Sequence, residues 1–281
     1  MAQKTIKELL NFGIIVIDKS TGPTSFSVSD YVRKTLGLTK TSHFGTLDPL
    51  VTGVLPVALG RACKLTGVFL GHDKTYIGIM HTHKEQDMKE LQKLINENFT
   101  GKILQTPPQK SRVKRQERER EVKRFELLEE GENKKDFLFI AEVEGGTYIR
   151  KLCSDLGDMI GGAHMAELRR IQAGIFKEEQ CVRLYELDKA SEESKKGNFT
   201  KLRNIIIPAE EAIKQVMPFY EVKEFALFSL KSGKPLFARD LLEKKIIKEE
   251  RFAIFCKDKF VGIYKNVDQG DIIGKSEFVF N

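Results

Sequence analysis

Four consecutive apolar residues, Ile14-Ile15-Val16-Ile17, constrain this chain more than any other local feature. A run with no polar alternation suits a strand lying inside a sheet, and it predicts a first strand at 13–18. Gly22-Pro23 then turns the chain, and Thr24-Ser25 supply helix-start chemistry for an amphipathic stretch to about residue 36. Residues 37–50 (GLTKTSHFGTLDPL) are polar, carry glycines and end near a proline, which predicts a long loop before a strand at 51–59. Further on, the spacing predicts a short helix at 64–70, a strand at 74–83 and a helix at 86–98. Strands at 120–128 and 137–144 follow, joined by the polar segment EEGENKKD, then a helix at 147–160 and a mixture of short helix and strand at 163–176. Strands and helices alternate without a regular βαβ rhythm. The expected fold is therefore α+β, a mixed and mainly antiparallel sheet with flanking helices.

The stretch at 191–198 (SEESKKGN) has no apolar residue and reads as a surface loop. From about Pro218 the texture changes to short β-rich segments (FAIFCK, FVGIYK, EFVF), which suggest a small barrel-like module. The organisation read from the chain is a lead at 1–12, a main domain at 13–217 and a β-rich domain at 218–281.

A formal charge of +7 fits a negatively charged partner without requiring one. The four cysteines (Cys63, Cys153, Cys181, Cys256) form no C-x-x-C pair, so neither a zinc site nor a disulfide framework follows, and buried thiols in a reducing cytosol are expected. No apolar run approaches the roughly 20 residues that cross a bilayer, and the first residues lack the apolar core of a signal peptide. A soluble, cytoplasmic protein with no membrane partner is expected. His81 and His83, two apart on a strand, share one face, but no acidic or thiol partner is evident from sequence and no metal is expected.

The segment at 43–56 (HFGTLDPLVTGVLP) is where the sequence stops being generic. Asp48 is followed by a proline at a loop's end, just before an apolar strand, with Gly45 and Pro49 permitting or restricting unusual backbone angles. Such a layout can hold a carboxylate at the rim of a sheet, although Asp-Pro is also common in ordinary turns.

GTLDPLVTGVLPVALGRACK closely resembles the motif of the TruB family of pseudouridine synthases, in which the aspartate is the catalytic nucleophile. GIIVIDKSTGPTS, KTYIGIMHTH, EGGTYIRKLCSDLG and GAHMAELRRIQAGIF resemble further segments of that family in the same order. The resemblance implies isomerisation of uridine to pseudouridine in RNA, with no cofactor and no metal. Carried over by position, Asp48 would be the catalytic carboxylate and Tyr76 would stack on the target base. Arg150 would pair with Asp48 and hold its charge. Tyr148 and Leu168 would line the base pocket, His43 would touch RNA beside the flipped nucleotide, and Lys19 would support the catalytic loop. Without the resemblance, Tyr76 and Leu168 read as core residues and Arg150 as a surface charge.

The chain is further similar to the archaeal and eukaryotic box H/ACA branch, through PPQKSRVKRQERER and a compact KTYIGIMHTHKEQDMKELQK. The tail segments GKPLFARDLL and FVGIYK are similar to a PUA domain, an RNA-binding barrel. This branch implies partners: tRNA, rRNA, a box H/ACA guide RNA and accessory proteins. Lys110, Arg112, Lys114 and Arg115 become candidates for contacts to the RNA backbone, against a plain solvated charge run. The chain departs from the family at Ser42, Phe44 and Cys63, and it lacks the long C-terminal extension common in the branch. Two alternatives stay open: a stand-alone synthase acting on the T-loop uridine of tRNA, and an RNA-binding scaffold with vestigial catalysis.

Overall fold

The computed structural model describes residues 4–107, 115–243 and 246–281. In chain order its elements begin with α1 (Ile6–Asn11), β1 (Gly13–Lys19), α2 (Ser25–Thr35), β2 (Thr41–His43), β3 (Thr52–Leu59) and α3 (Thr66–Phe69). Next come β4 (Lys74–Thr82), α4 (Met88–Asn98), β5 (Gly101–Gln105), β6 (Arg118–Glu130), β7 (Asp136–Val143) and α5 (Ile149–Ile160). β8 (Ala163–Ala173), β9 (Phe176–Lys177), α6 (Leu184–Lys195), α7 (Thr200–Ile205), β10 (Ile207–Pro208) and α8 (Ala209–Val216) complete the first sheet and its helices. The remainder holds β11 (Phe219–Glu221), α9 (Leu227–Lys231), β12 (Leu236–Phe237), β13 (Arg251–Cys256), β14 (Lys259–Gln269) and β15 (Ile272–Val279).

The large sheet runs β10-β1-β3-β8-β4-β7-β6-β5, with β2 added to β3 and β9 to β8. Its ladders are antiparallel except for β3–β8, as a mixed, mainly antiparallel core requires. β1 sits inside the sheet, paired on one side with β10 and on the other with β3, and Ile14, Ile15 and Ile17 are fully buried. The IIVI run thus covers both faces of one strand, which is why it lacks polar alternation.

The β3–β8 seam is a fork. Only Thr52 and Gly53 pair with β8, opposite Arg169 and Arg170, while Val57 to Leu59 pair with β2 instead. At the crotch a Cβ on Gly53 would lie 2.1 Å from the carbonyl oxygen of Arg170, and Gly53 has φ +101°. Only glycine permits that approach.

Three expectations are corrected. Residues 37–50 are not all loop, because Thr41–His43 forms β2 on the free part of β3. Residues 163–176 contain no helix; β8 runs unbroken to Ala173, since nine residues of β4 give it a full-length partner. The polar run at 191–198 is mostly the end of α6, whose narrow stripe of Leu187, Ala190 and Ser191 packs toward α2. There Ser191 donates to the Thr35 carbonyl at 2.9 Å and Tyr31 to Asp188 at 2.8 Å.

The second sheet has the order β11-β13-β14-β15-β12. Its inner face shares a core with the back of the first sheet: Phe255, Phe260 and Ile263 cluster with Phe12, Val54 and Phe44. Phe12 stacks on Phe260 at 5.3 Å and meets Phe280 at 4.4 Å. Among the described residues, no helix is long and apolar enough to cross a membrane.

Candidate active site

The loop that joins β2 to β3 presents Asp48, and buried groups hold it on every side. Before Asp48, the Ser25 hydroxyl donates to the Leu47 carbonyl at 2.8 Å and accepts from the Leu47 amide at 2.7 Å. Ser25 stands at the start of α2, where the GPTS turn delivers it. After Asp48, the Lys19 ammonium donates to the carbonyls of Pro49 at 3.0 Å, Val51 at 2.8 Å and Ser20 at 3.0 Å. The Gly22 amide reaches Pro49 as well. Leu47 and Val51 are core residues, whereas Asp48 points outward. The flanks are anchored and the carboxylate is presented.

Burial pulls the Lys19 ammonium below its ordinary range, and the charge of Asp48 partly offsets that. A single lysine therefore feels the carboxylate while tying the backbone beneath it.

Arg150, in the first turn of α5, forms an ion pair with Asp48 across 102 positions of sequence. The two side chains are 55% and 50% exposed, so the pair contributes at most about 1 kcal/mol to folding. Stability does not account for so many clamps behind one exposed pair.

Tyr76 on β4 is opposite Arg170 in the ladder, and Leu168 is opposite Gly78. Tyr76 and Leu168 lie in the same packed cluster as Leu47 and Val51, which flank Asp48, and Ile149, which precedes Arg150. Tyr148 is the N-cap residue of α5. His43, on β2, is half-buried with Nε2 3.0 Å from the Thr46 hydroxyl. Burial, then the nearby Arg170 charge, lowers its pKa. Arg115 is exposed just before β6, whereas Lys110, Arg112 and Lys114 lie outside the described residues.

The sequence reading missed Arg170, which is 1% exposed. Its Nε donates to the Val54 carbonyl at 2.8 Å, the ladder position just past Gly53, and its Nη2 to the Gly45 carbonyl at 2.9 Å. The guanidinium fills the fork and holds the Asp48 loop from below. The doubled arginine in MAELRRIQ was the available signal, but periodicity does not tell which of the two faces inward. Lys74 was missed too. Its ammonium donates to the Leu70 and His72 carbonyls, and burial with the Arg170 charge brings it down to about 8.

The departures at Ser42, Phe44 and Cys63 are absorbed by packing. Phe44 is buried and stacks on Phe69 at 4.8 Å, Ser42 shares a hydrogen bond with Thr66 at 2.8 Å, and Cys63 donates weakly to the Ala58 carbonyl. His81 does have an acidic neighbour, Asp136 at 2.7 Å, and rings of His83 and His164 nearby. Even so, no three such side chains among the described residues are arranged to hold a metal.

The model of the TruB family pseudouridylate synthase N-terminal domain matches residues 33–149, which contain Asp48 and Tyr76. That of the tRNA pseudouridylate synthase B C-terminal domain matches 150–214. The probable tRNA pseudouridine synthase B of Methanopyrus kandleri is 41% identical over 258 residues, 90% of this chain and 75% of that protein. This chain belongs to the TruB family of pseudouridine synthases. The probable tRNA pseudouridine synthase B of Korarchaeum cryptofilum is 43% identical over 81% of this chain and 70% of that protein. Among solved structures, the TruB-family chain is similar to one in a Cbf5–Nop10–Gar1 complex, with TM-score 0.88 and 35% identity over 99% of this chain and 88% of that one. It is also similar to one in an H/ACA RNP bound to a substrate RNA containing 2′-deoxyuridine, with TM-score 0.85, 33% identity and the same coverages. As a TruB-family enzyme, it isomerises uridine in RNA.

Proposed function

We propose that Asp48 is the catalytic carboxylate of this isomerase and that Arg150 orients it against the target nucleotide. The observation that carries this is the exposed Asp48–Arg150 pair, presented by a loop whose backbone is hydrogen-bonded on both sides of Asp48 by the buried Ser25 and Lys19 side chains. In the reaction the N1–C1′ bond breaks, uracil turns over, and C5 bonds to C1′. The C5 proton leaves and N1 gains one, so atoms and charge balance without a cofactor. A carboxylate beside the sugar can add to C1′ or take the C2′ proton on the way to a glycal. Tyr76 supplies an aromatic face for the flipped base, with Leu168 and Tyr148 lining its pocket. His43 and Arg115 contact the RNA strand, and Lys110, Arg112 and Lys114 extend that contact.

The substrates we infer are tRNA, after the relatives' names, with the T-loop uridine as the target the family resemblance suggests, and uridines chosen by a box H/ACA guide RNA, after the complexes in which the similar structures sit. Accessory proteins of the Nop10 and Gar1 kind would be the partners in the guided case. Residues 13–217 would form the catalytic domain and 218–281 a PUA-like domain gripping the guide. Double-helical RNA is read by shape and backbone, which suits a modest positive charge. Purified protein and transcripts labelled with tritium at uridine C5 test this directly. Release with bare tRNA supports stand-alone action, and release only in the assembled particle supports guided action. Silence in both returns the scaffold reading to the front.

A further inference from the structure

Gln105, the last residue of β5, is 3% exposed, and both ends of its side-chain amide are used on one residue. Its Nε2 donates to the Tyr148 carbonyl at 3.2 Å, and its Oε1 accepts from the Tyr148 amide at 3.0 Å. This reciprocal pair imitates one rung of a strand ladder. A side-chain amide carries donor and acceptor on one planar group at every pH near neutrality, and Gln has one methylene more of reach than Asn.

Tyr148 is where α5 begins, and its side chain makes no capping bond. Its carbonyl also receives the amides of Lys151 and Leu152, so the Gln105 amide completes a three-donor anchor at the helix start. The preceding turn depends on Gly146, at φ +98°. Two residues after Tyr148 comes Arg150, paired with Asp48. The N-terminus of α5 is thus tied to Gln105, across 43 positions of sequence.

We infer that Gln105 is a positioning residue for catalysis, which fixes the start of α5 so that Arg150 meets Asp48 in the reactive orientation. The inference rests on the proposed role of the Asp48–Arg150 pair. Gln105 itself touches neither reacting group. Its removal lowers the fraction of enzyme with the pair aligned, so turnover falls while RNA affinity, set by phosphate contacts, holds.

Gln105→Glu and Gln105→Met test it in the full chain with tRNA transcript or assembled particle, whichever the enzyme turns over. At about pH 8 the glutamate is an acceptor only, and it faces the Tyr148 carbonyl without a proton to give. The expected result is a kcat about tenfold or more below wild type, with KM within about twofold. As pH falls toward about 5 the protonated acid regains donor and acceptor, and the kcat ratio to wild type climbs. Gln105→Met, which cannot regain them, keeps its deficit at every pH. Combined with Arg150→Ala, either change adds little to the loss that Arg150→Ala causes alone.

A Gln105→Glu ratio that does not move with pH, or penalties that multiply in the double variants, would overturn the proposal. So would both variants melting below the assay temperature, which would make Gln105 a folding residue. Full activity of Arg150→Ala by itself is a different failure, and it would sink the ion-pair reading.

Discussion

Arg170 donates from Nη2 to the carbonyl oxygen of Gly45 at 2.9 Å, so a buried cation on β8 fixes the chain just ahead of Asp48. The same guanidinium satisfies Val54 where the β3–β8 ladder stops. Sheet topology and the Asp48 loop are therefore one construction, with the arginine filling the fork.

Arg170→Met should leave the Val54 and Gly45 carbonyls without their donor and destabilise the fold by about 2–4 kcal/mol. Arg170→Lys should recover only part of that, because an ammonium cannot span both carbonyls with a fixed fork. Urea denaturation of the three proteins checks it. Equal midpoints for wild type and Arg170→Met would mean that the loop stands without this contact.

Lys74 gives a pH signature. Its folded-state pKa is pulled down to about 8 from 10.5, chiefly by burial. Between those values the unfolded chain holds a proton that the folded chain has released, so this group's contribution makes stability rise with pH. Wild type should gain on Lys74→Met as pH climbs from about 8 toward 10, measured by denaturant midpoints in a common buffer series. A difference that stays flat over that range would show the amine to be hydrated and unshifted.

His43 and Arg115 should separate by salt dependence. Burial keeps His43 neutral near pH 7, so His43→Ala should weaken RNA binding without changing the slope of log K against log salt. Arg115→Ala should reduce that slope by about 1 if the arginine neutralises a phosphate. Filter binding across a salt series distinguishes them. An unchanged slope for Arg115→Ala would return that residue to the solvated surface.

Gly53→Ala should be among the most damaging single-methyl changes in the chain. The new Cβ meets the Arg170 backbone at 2.1 Å, and the backbone stands at φ +101°. A loss of about 3 kcal/mol or more is expected, read as a fall in melting temperature or as insoluble protein. A melting temperature near that of wild type would contradict the tight seam.

As candidates, Asp48, Tyr76 and Arg150 were legible because each stands inside a stretch that resembles a family motif; an unbroken apolar run located β1, and strand patterning located β3, β4 and β7. Arg170 was not, because an arginine in an alternating strand reads as solvent-facing until the fork explains its burial. β2 was hidden by its length and its polar residues; it becomes a strand only because β3 offers an unpaired edge. The end of α6 was obscured by SEESK, whose charges sit outside a stripe held by Leu187 and Ala190. Gln105 gave no local signal at all, since its partner is far along the chain. Contacts that tie distant segments together carry no periodicity.

The measurement that tests the central claim most directly is pseudouridine formation by Asp48→Asn beside wild type, on the RNA that wild type converts, with RNA affinity measured in parallel. The account predicts turnover below about a thousandth of wild type and affinity within about tenfold, because the change removes the anion and leaves the phosphate contacts in place. Turnover within tenfold of wild type by a correctly folded Asp48→Asn protein would contradict it.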